Sequence, residues 1–68
     1  MDSHDIAQFC KQVKEAREKL NLTQAEVAEK AGNMTVNYYA MIERGEVNPT
    51  FAKIKSIAKV LRVKLTIS

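Results

Sequence analysis

The sequence predicts an all-α fold: a compact domain of four or five helices, followed by a short extended segment at the C-terminus. Apolar residues recur at three- and four-residue steps over most of the chain, which is typical of amphipathic helices. Only two glycines and one proline interrupt the 68 residues. Residues that favour helix N-termini precede the later apolar stretches. We expect a chain of this length to form a single domain, 1–68, and to bury only about 60% of its unfolded surface.

The first helix is predicted over about 4–20. Its polar face offers pairs four residues apart, such as Lys11 with Glu15 and Lys14 with Glu18, each worth a few tenths of a kcal/mol. Asn21 suits a left-handed residue at the helix end. The apolar stripe consists of Ile6, Phe9, Cys10, Val13, Ala16 and Leu20.

Two short helices are predicted next, over about 24–31 and 36–44. Thr23 and Glu26 have the spacing of a capping box, in which each side chain bonds the other residue's backbone amide. Gly32 ends the first of these helices, and Thr35 caps the second. Tyr39 and Ile42 are expected on its buried side.

A fourth helix is predicted over about 51–61, starting after Pro49 and Thr50. Its apolar stripe consists of Phe51, Ile54, Ile57, Ala58 and Leu61. From residue 63 to 67 the apolar period changes to two, which is typical of an extended strand.

Composition excludes several classes of protein. One cysteine and one histidine permit neither an internal disulfide nor a four-ligand zinc site. We find no constellation typical of an enzyme, no glycine-rich phosphate loop, no signal peptide and no membrane span. We therefore expect a cytoplasmic protein without catalytic residues, metal or cofactor.

The charge is uneven along the chain. Residues 1–43 hold five Lys or Arg against seven Asp or Glu, whereas residues 44–68 hold six against one. A basic C-terminal part favours a polyanionic partner. The alternative is a solvated, lysine-rich helix face.

Two capped helices that meet across a tight turn form a helix-turn-helix pattern. Three segments in this order, LTQAEVAEKAG, YYAMIERG and NPTFAKIKSIAKVL, resemble the phage-repressor or Cro-like (Xre-type) family of transcription regulators. The resemblance covers residues 13–65. It implies binding to double-stranded DNA, with the third helix in the major groove.

The N-terminus of the second helix offers free amides and a positive dipole end to a phosphate, and the resemblance implies that Gln24 clamps the DNA backbone. The alternatives are a polar first-turn role for Gln24 and a merely solvated Arg44. The resemblance places Phe51 in this set through its backbone amide. The expected phosphate contacts are Thr23, Gln24, Tyr38, Arg44, Asn48, Thr50, Phe51 and Lys53.

Arg17 and Glu43 resemble a family pair that joins the first and third helices by a partly buried ion pair. Counting back from Glu43 in the family pattern places five residues on the outward side of the third helix. Of these, Asn37 can bond adenine through two atoms; its alternative is a solvated polar residue. The expected base contacts are Thr35, Val36, Asn37, Ala40 and Met41.

Two departures from the family pattern concern the third helix. The turn after Gly32 is one residue longer than the commonest spacing, with Asn33 as the insertion and Met34 as the buried turn residue. Before Arg44, the helix offers no Gln, Lys or Arg to the bases. Specificity is then shared with apolar contacts and DNA shape.

The resemblance also implies a homodimer, because one short helix reads few bases. Many relatives dimerise through a fifth helix, and Val63, Leu65 and Ile67 are the expected replacement here; alternatively, Val63 and Leu65 cap the monomer core. The expected function is a sequence-specific transcription regulator, a repressor or autoregulator, on a near-palindromic operator. The alternative is an antitoxin-like or adaptor module for which DNA binding is secondary.

Overall fold

The computed structural model describes residues 3–63, with side chains from residue 7 onward. Four helices follow one another: α1 (Ser3–Lys19), α2 (Gln24–Lys30), α3 (Val36–Glu43) and α4 (Phe51–Leu61). The all-α prediction is confirmed. Three helices end one residue before the predicted position. The next residues, Leu20, Ala31 and Arg44, still donate backbone hydrogen bonds into the preceding helix but close it as turn or cap residues.

A threonine caps the N-terminus of each of the three later helices. The hydroxyls of Thr23, Thr35 and Thr50 accept hydrogen bonds from the amides of Glu26, Tyr38 and Lys53, at 3.1 to 3.2 Å. Glu26 also accepts the Thr23 amide at 2.9 Å, so the predicted capping box is complete. Each cap satisfies one amide that would otherwise lack a partner, worth roughly 1 kcal/mol.

The core lies where the four helices meet. Helix α2 packs against both α3 and α4, and α1 packs against the same two helices. Ala28 and Ala31, both buried, allow the neighbouring helices to approach α2 closely. The largest fully buried side chains come from all four helices: Val13, Val27, Tyr39, Ile42 and Ile57.

The turn between α2 and α3 contains two consecutive left-handed residues. Gly32 has φ 112° and Asn33 has φ 58°. Asparagine tolerates this conformation better than most residues, so the insertion is absorbed within the turn. The Asn33 and Met34 amides donate to carbonyls of α2, and Met34 packs against the core. Helix α3 therefore starts after Thr35, where the sequence predicts it.

Two of the described residues that were predicted in the apolar stripes do not join the core. Leu20, predicted in the α1 stripe, is 39% exposed because α1 ends at Lys19 and Asn21, with φ 56°, turns the chain. Phe51, predicted in the α4 stripe, is 51% exposed. It is the first helical residue of α4, and its ring lies 5.7 Å from Lys55 Nζ. The predicted burial of both side chains is wrong; that of Ile6 lies outside the described side chains.

Helix α4 ends at Arg62, which is left-handed at φ 59°. The Val63 amide bonds the Ala58 carbonyl at 2.9 Å, and its side chain packs, partly buried, against the core of the same chain. For Val63 this favours the capping alternative over a dimer contact. Leu65 and Ile67 lie outside the described residues.

Replacing Ile57 by alanine should lower the free energy of unfolding by about 2–5 kcal/mol, because the side chain is fully buried. Phe51→Ala should cost far less, since half of that ring is already in water. Urea unfolding of the two variants measures both effects. A larger loss for Phe51→Ala than for Ile57→Ala would contradict this arrangement of the core.

Candidate nucleic-acid interface

An ion pair joins α1 to the C-terminal end of α3. Arg17 Nε lies 2.6 Å from Glu43 Oε2, and Nη2 lies 3.3 Å from Oε1. A third guanidinium nitrogen, Nη1, donates to the Leu22 carbonyl at 2.9 Å. The two side chains are 15% and 3% exposed. The guanidinium thus fixes α1, the α1–α2 turn and α3 relative to one another.

Helix α2 joins the same cluster through Gln24, whose Nε2 donates to Glu43 Oε1 at 3.1 Å. Burial opposes ionisation of Glu43, but the contacts of Arg17, Tyr39 and Gln24 outweigh it and lower the pKa of this carboxyl. The buried Tyr39 hydroxyl has no partner in hydrogen-bonding geometry. Burial, and then the adjacent Glu43 carboxylate, raise the pKa of Tyr39. Gln24 is therefore held at the start of α2, where the sequence predicts a phosphate contact.

The N-terminal part of α3 presents three consecutive exposed residues, Thr35, Val36 and Asn37. The Asn37 amide nitrogen lies 3.9 Å from the Met41 sulfur, one turn further on, and Met41 itself is half-buried. Ala40 is only 8% exposed, so its predicted outward position is wrong. An alanine methyl is shorter than the side chains one turn away on either side.

Two helix N-termini accompany this surface. At α2, the Thr23 hydroxyl accepts the Glu26 amide, and its own hydrogen remains able to donate. At α4, the Thr50 hydroxyl accepts the Lys53 amide in the same way. The Phe51 amide belongs to the first turn, where backbone donors have no partner within a helix. Both ends can therefore donate to an anion.

Tyr38 and Lys53 lie together beside the start of α3. Lys53 Nζ lies 5.4 Å from the centre of the Tyr38 ring, within the range of a cation–π contact. Both residues, with Met34 and Thr35, line an open depression of about 420 Å³. Tyr38 is half-buried and packs partly against the core. The structure thus brings together three predicted DNA contacts, Thr35, Tyr38 and Lys53.

Arg44 has a partner that the sequence analysis missed. Its Nε and Nη2 donate to the two carboxylate oxygens of Glu46, at 2.8 and 3.0 Å. Both side chains are about half exposed. Hydrogen bonding to Arg44 lowers the pKa of Glu46. The pair spans Gly45, whose φ of 74° turns the chain back. Side chains on a helix pair at separations of three or four residues. Arg44 and Glu46 are two residues apart, so no sequence pattern indicated this ion pair.

A groove separates α1 from the loop that follows α3. It encloses about 530 Å³ and places Lys11 and Lys14 of α1 beside Arg44 and Asn48. Cys10, which is 4% exposed, borders it. The sequence predicts that the two lysines pair with Glu15 and Glu18. Their three-residue spacing, which puts them on one helix face, was the signal that could have identified them.

The lowered pKa of Glu43 predicts an acid-dependent loss of stability. Its pKa lies below the ordinary value of 4.5, so its contribution is complete above that pH and is lost as the pH falls through the folded-state pKa. At neutral pH, Glu43→Gln should lower the free energy of unfolding by about 1.5–3 kcal/mol.

Urea unfolding of both proteins from neutral pH to about pH 2 measures this contribution, because the difference should shrink as the pH falls. Glu26 and Glu46, whose pKa values are also lowered by hydrogen bonds, titrate in both proteins and cancel. A difference independent of pH would show that ionisation of Glu43 does not stabilise the fold.

Comparison with known proteins agrees with this geometry. A family model described as helix-turn-helix matches residues 13–67. No curated protein and no solved structure matches the chain significantly. Among the described residues, no helix is both long enough and apolar enough to cross a membrane. The matched residues include the Arg17–Glu43 ion pair, the exposed start of α3 and all of α4. The chain therefore belongs to the Xre/Cro-like helix-turn-helix family of DNA-binding transcription regulators.

Proposed function

We propose that the protein is a sequence-specific repressor or autoregulator that binds a near-palindromic operator as a homodimer. The observation that carries the proposal is the exposed start of α3, Thr35 to Asn37, on a helix whose other end is braced by Arg17 and Glu43. A helix presented in this way can enter the major groove of B-DNA with its N-terminal residues on the base edges.

Asn37 carries most of the direct readout in this proposal. Its exposed carboxamide can donate to adenine N7 and accept from N6 together. Val36, 45% exposed, offers an apolar contact to a thymine methyl. Thr35 and the half-buried Met41 lie beside them. Because this set is small, the sequence-dependent shape of the DNA contributes the rest of the specificity.

The DNA backbone is held on two sides of α3. Thr23 and Gln24 bind one stretch of phosphates at the start of α2. The other stretch is bound around the start of α4 and beside α3. Such contacts set the position of the protein on the duplex and carry no sequence information of their own. The second group consists of Tyr38, Arg44, Asn48, Thr50, Lys53 and the Phe51 amide.

Dimerisation follows from the shortness of α3, which has eight residues and covers few base pairs. Two copies related by a two-fold axis would read half-sites about 34 Å apart. Since Val63 packs against its own core, we assign the proposed dimer contact to Leu65 and Ile67.

The antitoxin-like or adaptor function has less support. Two features favour it: an apolar surface formed by Val36, Ala40 and Met41, and the apolar C-terminal segment, whose residues after Val63 lie outside the described part of the chain. Ala40 is buried and Met41 half-buried, so Val36, at 45%, is the only exposed residue of that surface. One exposed valine is ordinary for a protein surface.

Fluorescence titration of labelled DNA tests the proposal, with fragments flanking the protein's own gene compared with random sequence at two salt concentrations. Wild-type protein should prefer a subset of fragments and bind them with two chains per site. Asn37→Ala should weaken that binding by about 1–3 kcal/mol for each half-site and relax the preference. Gln12→Ala, an exposed amide on α1, is the control. Equal affinity for all sequences would refute the proposal.

Glu46 should weaken DNA binding, because its carboxylate is bonded to the guanidinium of Arg44, which we propose as a phosphate contact. Glu46→Gln should raise the affinity for operator and random DNA alike, by a few-fold at low salt and less at high salt. The control is Glu29→Gln, which removes an equal charge from an exposed position on α2. If both variants gain equally, net charge rather than release of Arg44 explains the effect.

A further inference from the structure

The groove between α1 and the loop after α3 concentrates positive charge outside the helix-turn-helix. Lys11 and Lys14 line one wall, and Arg44 and Asn48 line the other. The acidic residue among its lining residues is Glu43, whose carboxylate is already bound by Arg17 and Gln24. Because Arg44 is already paired with Glu46, the groove presents the two lysine ammonium groups and the Asn48 amide to whatever enters it.

Neither lysine forms an ion pair within the described residues. The sequence predicted ion pairs with Glu15 and Glu18, but neither lysine lies within 4.0 Å of a carboxylate there. Exposed pairs of this kind contribute little even when they form. Lys11 and Lys14 are exposed, so their ammonium groups can bind an external anion without breaking an internal contact.

The shape of the groove favours a chain of phosphates over an enclosed small ligand. It is partly open to solvent and is lined both by α1 and by Arg44 and Asn48, the residues that we assign to the second phosphate stretch. A lysine ammonium is a point charge that tolerates varied geometry. It therefore suits a backbone that passes by, which it binds without reading its sequence.

We propose that Lys11 and Lys14 bind phosphates of the DNA backbone and extend the protein's footprint along the groove onto α1. This inference rests on the proposed DNA-binding function and adds to it two contacts from a helix outside the helix-turn-helix. DNA held there is contacted by α1, by the loop after α3 and by the start of α4 in one continuous track.

The salt dependence of binding tests the proposal. Each phosphate contact contributes about 0.9 to the slope of log affinity against log salt concentration. The double variant Lys11→Gln/Lys14→Gln should lower that slope by about 1.8 per bound chain, or about 3.6 for the dimer, and weaken operator and random DNA by the same factor. The control, Lys30→Gln/Lys59→Gln, removes the same charge from exposed positions outside the groove and should leave the slope nearly unchanged. Urea unfolding checks that both variants are folded.

The outcomes separate this inference from the proposed function. Operator preference with equal slopes in the two double variants overturns the inference alone. A reduced slope only in the groove variant, without operator preference in the wild type, supports the inference and refutes the proposed specificity. Absence of any DNA binding at low salt overturns both.

A second measurement needs no variant. Acetylation of lysines, read by mass spectrometry, should be suppressed at Lys11 and Lys14 when the wild-type protein is bound to DNA, but not at Lys30 and Lys59. Inorganic phosphate without DNA should leave all four reactive. Protection of Lys11 and Lys14 by inorganic phosphate alone would make the groove a site for small anions and overturn its assignment to the DNA backbone.

Discussion

The guanidinium of Arg17 is the constraint on which the position of α3 depends. Through Glu43 it holds the C-terminal end of α3, through Leu22 the α1–α2 turn, and Gln24 reaches the same carboxylate from α2. Truncating either side chain, unlike the Glu43→Gln change, would remove the hydrogen bonds as well as the opposite charge and would leave a charge in a mostly buried site, which typically costs about 3–5 kcal/mol. In so small a domain, such a loss is comparable with the whole stability. The proposed DNA-binding geometry and the fold therefore depend on the same few atoms.

Much of this arrangement was predictable because its signals are local. The caps at Thr23, Thr35 and Thr50 need only one residue and the amides that follow it. Gly32 marks a helix end for the same reason. The pairing of Arg17 with Glu43 is a long-range contact, and only the resemblance to a known family indicated it. Family membership then followed from three segments in the right order, without knowledge of any side-chain contact.

The errors arose where periodicity cannot tell which face of a helix is covered. Phe51 has the spacing of a core residue, but it is the first residue of α4 and lies outside the packed region. Ala40 has the spacing of a surface residue, yet its small methyl is covered. The Arg44–Glu46 pair and the groove at Lys11 depend on how a loop folds back, which sequence patterns do not record.

The exposed start of α3 also affects how the protein can change over generations. Val36 and Asn37 contribute nothing to the buried core. The Thr35 cap and the Arg17–Glu43 ion pair, which fix α3, lie at other positions. Substitutions at these two sites should therefore cost little stability, and marginal stability is what usually limits tolerated change. A duplicated copy of the gene could acquire a new target while keeping its scaffold intact.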